Sequence, residues 1–165
     1  NNLLSANGFL LITCFDGDLL MKTLNKNNGV FEIFQISKNK NILFNINSLY
    51  NESNDLKNQE FGLPINVVNK LYSTVGKIEY IVKKDVLIKY ANDIGNLELV
   101  ETDLFYNFYE LNRNLINNIY ENNLFNDNYN KSINNIYNFY NFKTSLDNYS
   151  LQFSKLNRYY VFRKK

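Results

Sequence analysis

The residues best suited to chemistry in this 165-residue chain lie in its last eleven positions. Five basic residues are found there, and no acidic residue accompanies them: Lys155, Arg158, Arg163, Lys164 and Lys165. Aromatic side chains stand between these charges, at Tyr159, Tyr160 and Phe162. Lysine and arginine bind RNA phosphates by Coulomb attraction and counterion release, and aromatic rings stack on unpaired bases. The segment is therefore predicted to contact RNA.

Two other interpretations fit the same residues. An edge strand packs its aromatic side chains inward and uses charges to prevent pairing with other chains. A solvated basic tail raises solubility. The charge distribution favours RNA binding, because all 16 acidic residues precede this segment while the whole chain has a net charge of only +2.

A second basic site is predicted at Lys38 and Lys40. These lysines lie between two apolar segments that alternate as strands do, so they are expected at the tip of a β-hairpin. A hairpin tip reaches beyond its sheet and offers its charges to a polyanion. Lys38 and Lys40 therefore join the C-terminal basic residues as candidate RNA contacts.

Most catalytic arrangements are excluded by composition. The chain contains no histidine, which excludes Ser-His-Asp and Cys-His catalysis and histidine metal ligands. Cys14 is the only cysteine, so a disulfide within the chain and a zinc site built from cysteines are excluded as well. Its apolar surroundings predict a small core residue. The six glycines are not clustered, which argues against a phosphate-binding loop.

The acidic residues indicate local structure rather than catalysis. Asp16-Gly17-Asp18 offers two carboxylates, but a cation site needs more oxygen ligands in register, so a turn with Asp18 as a helix N-cap is favoured. Glu32 and Glu79 fall on predicted strands and are expected at the surface beside lysines. The sequence thus predicts no catalytic residue, no metal and no cofactor, and it predicts that the protein is not an enzyme.

Composition permits one ordinary domain, or a small domain with a helical annex. Asparagine makes up about one residue in five, and A/T-rich codons also account for the abundance of Lys, Ile, Tyr and Phe. No apolar run approaches the ~20 residues that span a bilayer, so membrane insertion is not expected.

The elements predicted for the first half follow the order strand, helix, strand, strand, helix, strand. Phe9–Phe15 is apolar on both faces, which is typical of a central strand. The remaining segments are a helix over Asp18–Leu24, a hairpin of Gly29–Ile36 and Ile42–Ile46, a helix over Ile65–Val75 and a strand over Lys77–Val82. This order predicts an α+β fold, a ferredoxin-like βαββαβ sandwich.

The second half is predicted to be mostly helical. Val86–Ile88 and Leu97–Val100 suggest a hairpin, and helices are expected over Thr102–Leu124 and around Ile133–Tyr140. Tyr149–Phe153 and Arg158–Phe162 suggest a closing hairpin. The predicted domains are a ferredoxin-like unit at residues 1–101 and a helical extension with a basic end at residues 102–165.

The first half resembles the small-subunit ribosomal protein ten family. The resemblance covers residues 9–84 and rests on a strand that ends in Phe15-Asp16, the pair Leu19-Leu20, a hairpin with a basic tip, and a helix that starts at Pro64. The small-subunit ribosomal protein six family shares the same element order and is a close rival.

This resemblance implies a non-catalytic structural constituent of the small ribosomal subunit, which binds rRNA and neighbouring ribosomal proteins within a large hetero-assembly. The A/T-rich composition and the long extension look like a mitochondrial version, located in the matrix. Two alternatives remain open. One is a non-catalytic interaction subunit of another organelle complex, such as a respiratory complex. The other is a free-standing soluble domain from a low-G+C bacterium or a phage.

Overall fold

The computed structural model describes residues 4–34, 41–50, 62–70, 73–122, 130–141 and 151–165, and these residues form an α+β fold, as the sequence predicts. The strands are β1 (Phe9–Phe15), β2 (Val30–Phe34), β3 (Ile42–Ser48), β4 (Leu63–Asn69), β5 (Lys77–Ile81), β6 (Leu97–Leu104) and β7 (Asn157–Lys164). The helices are α1 (Gly17–Lys26), α2 (Lys84–Asp93), α3 (Phe105–Glu121) and α4 (Asn130–Tyr140), and residues 151–154 form a helical turn. None of the helices in these ranges is long and apolar enough to cross a membrane.

The strands form two antiparallel sheets. Strands β2, β3, β4 and β5 follow one another in a four-stranded sheet. The second sheet has the order β1-β7-β6, so the last strand of the chain lies between the first strand and β6. The predicted boundary between residues 101 and 102 falls inside β6, and the division into two domains stays a prediction.

The core lies between α1 and the four-stranded sheet. Leu20 and Leu24 of α1 are fully buried against Phe44 and Ile46 of β3 and Ile65 of β4. Phe153, from the helical turn before β7, adds its ring edge-on to Phe44 with 4.8 Å between the ring centroids. The C-terminal part of the chain thus completes the core of the N-terminal part.

The predicted helix over Ile65–Val75 is wrong, because Leu63–Asn69 is strand β4. The apolar residues of this segment satisfy both the helical and the strand period. Pairing with a strand on each side favours the strand over the helix, since Ile65 lies opposite Ser48 of β3 and Glu79 of β5. Alternate residues of β4 are buried as a result. With a strand in place of that helix, the βαββαβ order is lost and a ferredoxin-like arrangement is not confirmed.

Three further expectations are corrected. Val86–Ile88 belongs to helix α2 instead of a strand, and Asp85 in its first turn complements the helix dipole. The predicted strand Tyr149–Phe153 is helical over residues 151–154 and otherwise lies outside the described residues. Strand β1 forms as predicted but lies at an edge of its sheet rather than in the centre.

Asp16 connects helix α1 to the three-stranded sheet. It is the N-cap of α1, a place predicted for Asp18, and its Oδ1 accepts a hydrogen bond from the backbone N–H of Leu19 at 2.7 Å. Its Oδ2 accepts from Nε of Arg158 at 2.5 Å. Only 4% of the Asp16 side chain and 16% of the Arg158 side chain are exposed. The ion pair therefore ties the start of β7 to the point where the chain leaves β1 and enters α1.

The neighbouring Gly17 has no room for a side chain. A Cβ at this position would overlap the carbonyl oxygen of Val82, which follows β5. The start of α1 therefore packs closely against the end of β5.

Replacing Asp16 by Asn should lower the free energy of unfolding by about 3 kcal/mol, because the largely buried guanidinium of Arg158 loses its counter-charge. Urea unfolding measures the change. Asp18→Asn is the matched control, since Asp18 is an exposed carboxylate of the same turn and its loss should cost less than about 1 kcal/mol. Equal losses in the two variants would contradict the role given to the ion pair.

Candidate functional site

A cavity of about 340 Å³ opens between the two sheets beside the Asp16 junction. We call it the inter-sheet cavity. Its walls come from four strands, helix α1 and the helical turn, and they include Thr13, Cys14, Phe15, Leu20, Ile65, Glu79, Tyr80, Ile81, Phe153 and Asn157. Ligand sites in proteins have volumes of about 300–1,000 Å³ and combine apolar walls with a few polar groups, which matches this cavity.

Glu79 is the most informative residue of the inter-sheet cavity. It pairs with Ile65 and shares its side of the sheet with Ile81, and these two residues are 1% and 4% exposed. A carboxylate therefore stands on the apolar side of the sheet, at the place where the core gives way to the cavity. Glu79 is exposed, and among the described residues it has no hydrogen-bond or ion-pair partner. An acceptor in this position is available to a ligand with N–H or O–H donors.

The expectation that Glu79 lies at the surface is confirmed, because Glu79 is exposed. The sequence did not show that this exposed residue also lines a cavity. The segment Lys77–Ile81 alternates, so either face could have been the inner one. Glu79 lies opposite Ile65, which is buried in strand β4, and this pairing places Glu79 on the cavity side. The sequence could not show the pairing, because the segment of β4 was predicted to be a helix.

The other walls add polar and aromatic groups. Asn157 is held by a hydrogen bond from its Nδ2 to the carbonyl oxygen of Phe153 at 2.9 Å. Thr13 and Tyr80 also line the cavity, and the rings of Phe15 and Phe153 pack together at its wall, with 5.9 Å between their centroids. One carboxylate with several aromatic rings suits a planar heterocycle that carries N–H donors.

The Cys14 thiol lines the same cavity but is not activated. Burial raises its pKa, and the charge of Asp16 raises it further, while Arg158 acts in the opposite direction. The thiol therefore stays protonated at neutral pH and is a poor nucleophile and metal ligand. In the parts of the chain that the structure describes, no group of three or more Cys, Asp or Glu residues is placed to hold a metal ion.

A second cavity, of about 760 Å³, lies between the three-stranded sheet and helices α3 and α4. We call it the aromatic cleft. It is lined mainly by rings, from Phe105, Tyr106, Phe108, Tyr109, Phe139, Tyr140 and Tyr159. Its carboxylate, Glu101, already accepts a hydrogen bond from the Tyr159 hydroxyl, which raises the pKa of that hydroxyl to about 12. With its charged group engaged, the larger cleft is the weaker candidate for a polar ligand.

Of the predicted basic residues, the five that the structure describes do not form one patch. Arg158 is engaged with Asp16, Arg163 with Glu98, and Nζ of Lys165 donates to Oδ1 of Asn92 at 2.6 Å.

Nζ of Lys155 lies 4.4 Å from the ring centre of Tyr106. Strand β7 is the central strand of its sheet, so Arg163 projects from one face and Arg158 and Lys164 from the other. Lys38 and Lys40 lie outside the described residues. RNA binding by these seven residues stays a prediction.

Tyr160 projects from β7 into a fully buried position. Within the described residues its hydroxyl is buried without a hydrogen-bond partner, and burial is the main cause that raises its pKa far above the ordinary value. The ring stacks on Phe162 with an interplanar angle of 6°. Tyr160 therefore contributes apolar packing, and its hydroxyl makes no hydrogen bond to the described residues.

Comparison with known proteins gives one informative match. No protein-family model matches the chain. A protein of Acanthamoeba polyphaga mimivirus named "Probable mRNA-capping enzyme" is 37% identical to it over 123 residues. The matched region is 73% of this chain but 10% of the mimivirus protein, so the chain corresponds to a small part of that relative.

This match corrects the functional predictions. The predicted membership of the small-subunit ribosomal protein ten family is wrong, and so is the predicted mitochondrial ribosomal role. The relative is instead a viral protein named as an mRNA-capping enzyme. The prediction that the protein is not an enzyme is contradicted by the same name. The alternative of a non-catalytic subunit of an organelle complex has no support from it either.

Tyr160→Phe should leave the free energy of unfolding unchanged or raise it by about 1 kcal/mol, because an unpaired hydroxyl is removed from a buried site. Urea unfolding measures the change. A clear loss of stability would show that the hydroxyl has a hydrogen-bond partner.

Cys14 should react slowly with iodoacetamide near pH 8.5, and much faster in urea, because the folded protein holds its thiol protonated and partly covered. The rate should rise with pH above the ordinary thiol pKa. Mass spectrometry of the alkylated protein measures both rates. Equal rates in the folded and unfolded states would contradict the raised pKa.

Proposed function

We propose that this chain is part of an mRNA-capping enzyme and acts in RNA processing. The observation that carries the proposal is the 37% identity to the mimivirus protein over 123 residues. Identity at this level over most of the chain supports a shared fold for the matched region. Because that region is a tenth of the relative, the chain is proposed to supply one portion of the enzyme rather than all its activities.

Within that portion, the inter-sheet cavity is proposed to bind a guanine base. An mRNA cap is a guanine nucleotide at the 5′ end of the RNA. Guanine presents N1–H and N2–H as neighbouring donors on one edge, and a carboxylate accepts both. Glu79 supplies such a carboxylate on an otherwise apolar wall. Adenine has an acceptor at N1, which the carboxylate disfavours.

The aromatic walls support the same ligand. Phe15 and Phe153 line the cavity, and a purine ring that contacts such side chains gains about 1–3 kcal/mol per stacked base. The amide of Asn157 and the hydroxyl of Thr13 are the further groups that could orient the base. Binding selectivity is assigned to Glu79 and affinity to the rings.

The test compares GTP with ATP by isothermal titration calorimetry on the protein and two variants. GTP should bind more tightly than ATP, and Glu79→Gln should weaken GTP binding by about tenfold or more, because charged hydrogen bonds to the base are lost. Glu121→Gln is the matched control, an exposed carboxylate at the end of α3. It should bind GTP as the unchanged protein does.

The link to capping is tested separately with two RNAs of one sequence, one capped and one with a 5′ triphosphate. GTP and the capped RNA should compete for the protein, and either should slow alkylation of Cys14, which lines the cavity. Equal binding of GTP and ATP, or full GTP affinity in Glu79→Gln, contradicts the guanine site. Failure of both RNAs to bind contradicts the proposed role in RNA processing.

A further inference from the structure

Strand β1 has the sequence of a strand that lies between two others, yet it lies at an edge. Its seven residues, Phe9–Phe15, include no charged side chain, and apolar residues occupy both faces. Phe9 and Leu11 on one face are 61% and 65% exposed, and Leu10 on the other is 37% exposed. Apolar residues on both faces are typical of strands that are covered on each side and paired along each edge.

Among the described residues, no strand pairs with the backbone of β1 along this edge. The N–H of Lys164 donates to the carbonyl oxygen of Gly8, and the N–H of Asp16 donates to that of Leu156. In an antiparallel pair, bonded positions recur every second residue, so the even-numbered residues of β1 bond to β7. The N–H and C=O groups of Phe9, Leu11 and Thr13 therefore point away from the sheet.

The other edge strands of the described sheets carry features that prevent pairing with further strands, and β1 carries none of these features. Strand β6 carries Glu98, Glu101 and Asp103 and contains a register shift. Strand β2 carries Glu32 and a register shift, and β5 carries Lys77 and Glu79. Charges and irregularities of this kind prevent pairing with further strands. Strand β1 has neither a charged side chain nor a register shift.

We propose that β1 pairs along its open edge with an apolar β-strand from another part of the capping enzyme. The three-stranded sheet is then one end of a larger sheet, and neighbouring side chains cover Phe9 and Leu11. This rests on the proposed function, because the mimivirus relative is about ten times longer than the region it shares with this chain and so offers the partner strand. A β-strand is the stated partner because the open groups are backbone donors and acceptors in register.

The test uses the protein purified as its whole reading frame encodes it, with any polypeptide that co-purifies. Hydrogen–deuterium exchange is measured at single-amide resolution over residues 9–13. In a paired edge, the outward amides of Phe9, Leu11 and Thr13 should exchange as slowly as the inward amides of Leu10 and Ile12. Fast exchange at the three outward amides only would overturn the proposal.

Two variants isolate the pairing from the fold. Leu11→Pro removes an outward N–H that does not bond to β7, so it should speed exchange at Phe9 and Thr13 at least tenfold while Leu10 and Ile12 stay slow. Leu11→Val keeps the N–H and should change neither set. Equal exchange at Phe9 and Thr13 in the two variants would overturn the proposal.

A second copy of this chain is the competing occupant. Exchange is therefore repeated at a twentyfold lower protein concentration. Protection that survives dilution supports a strand of the same enzyme, whereas protection lost on dilution indicates pairing between copies and overturns the proposal. GTP binding on the same sample keeps the two proposals separate, because a protected edge without guanine binding contradicts the guanine site alone.

Discussion

The buried ion pair between Asp16 and Arg158 is the interaction on which the arrangement of this protein depends. Asp16 caps helix α1 with one carboxylate oxygen and binds the guanidinium with the other, so both of its oxygens are engaged at the point where β1 ends and α1 begins. Two charges removed from water need each other, because either one alone would be costly to bury. The pair thus couples the position of α1, and the core beneath it, to the position of β7.

The inter-sheet cavity is a consequence of this junction. Its walls come from residues next to the pair: Cys14 and Phe15 precede Asp16, and Asn157 precedes Arg158. Gly17 lets Val82 approach, which brings the end of β5 and its Glu79 to the same place. An interaction that holds the fold together therefore also helps to place the Glu79 carboxylate and the rings of Phe15 and Phe153 around one cavity.

Much of the secondary structure could be predicted from local pattern. Alternation identified β5 and β6, and the helical stripe from Leu104 identified α3, because each of these segments satisfies one period clearly. Ile65–Val75 satisfies two periods, and only pairing with β3 and β5 decides for a strand. The basic end was recognised as a cluster in sequence, but strand geometry sends its charges to opposite faces and acidic neighbours engage two of them.

By itself, the sequence determined that the protein is α+β, that histidine and disulfide chemistry are excluded, and that Phe9–Phe15 is a strand apolar on both faces. These properties depend on residue type and on spacing along a few neighbouring positions. Only the tertiary structure decided that Arg158 forms an ion pair with Asp16 and that Glu79 lines a cavity. It also decided that β1 lies at an edge of its sheet among the described residues. Each of these depends on residues far apart in the chain, whose contact is set by the packing of whole sheets and helices rather than by local preference.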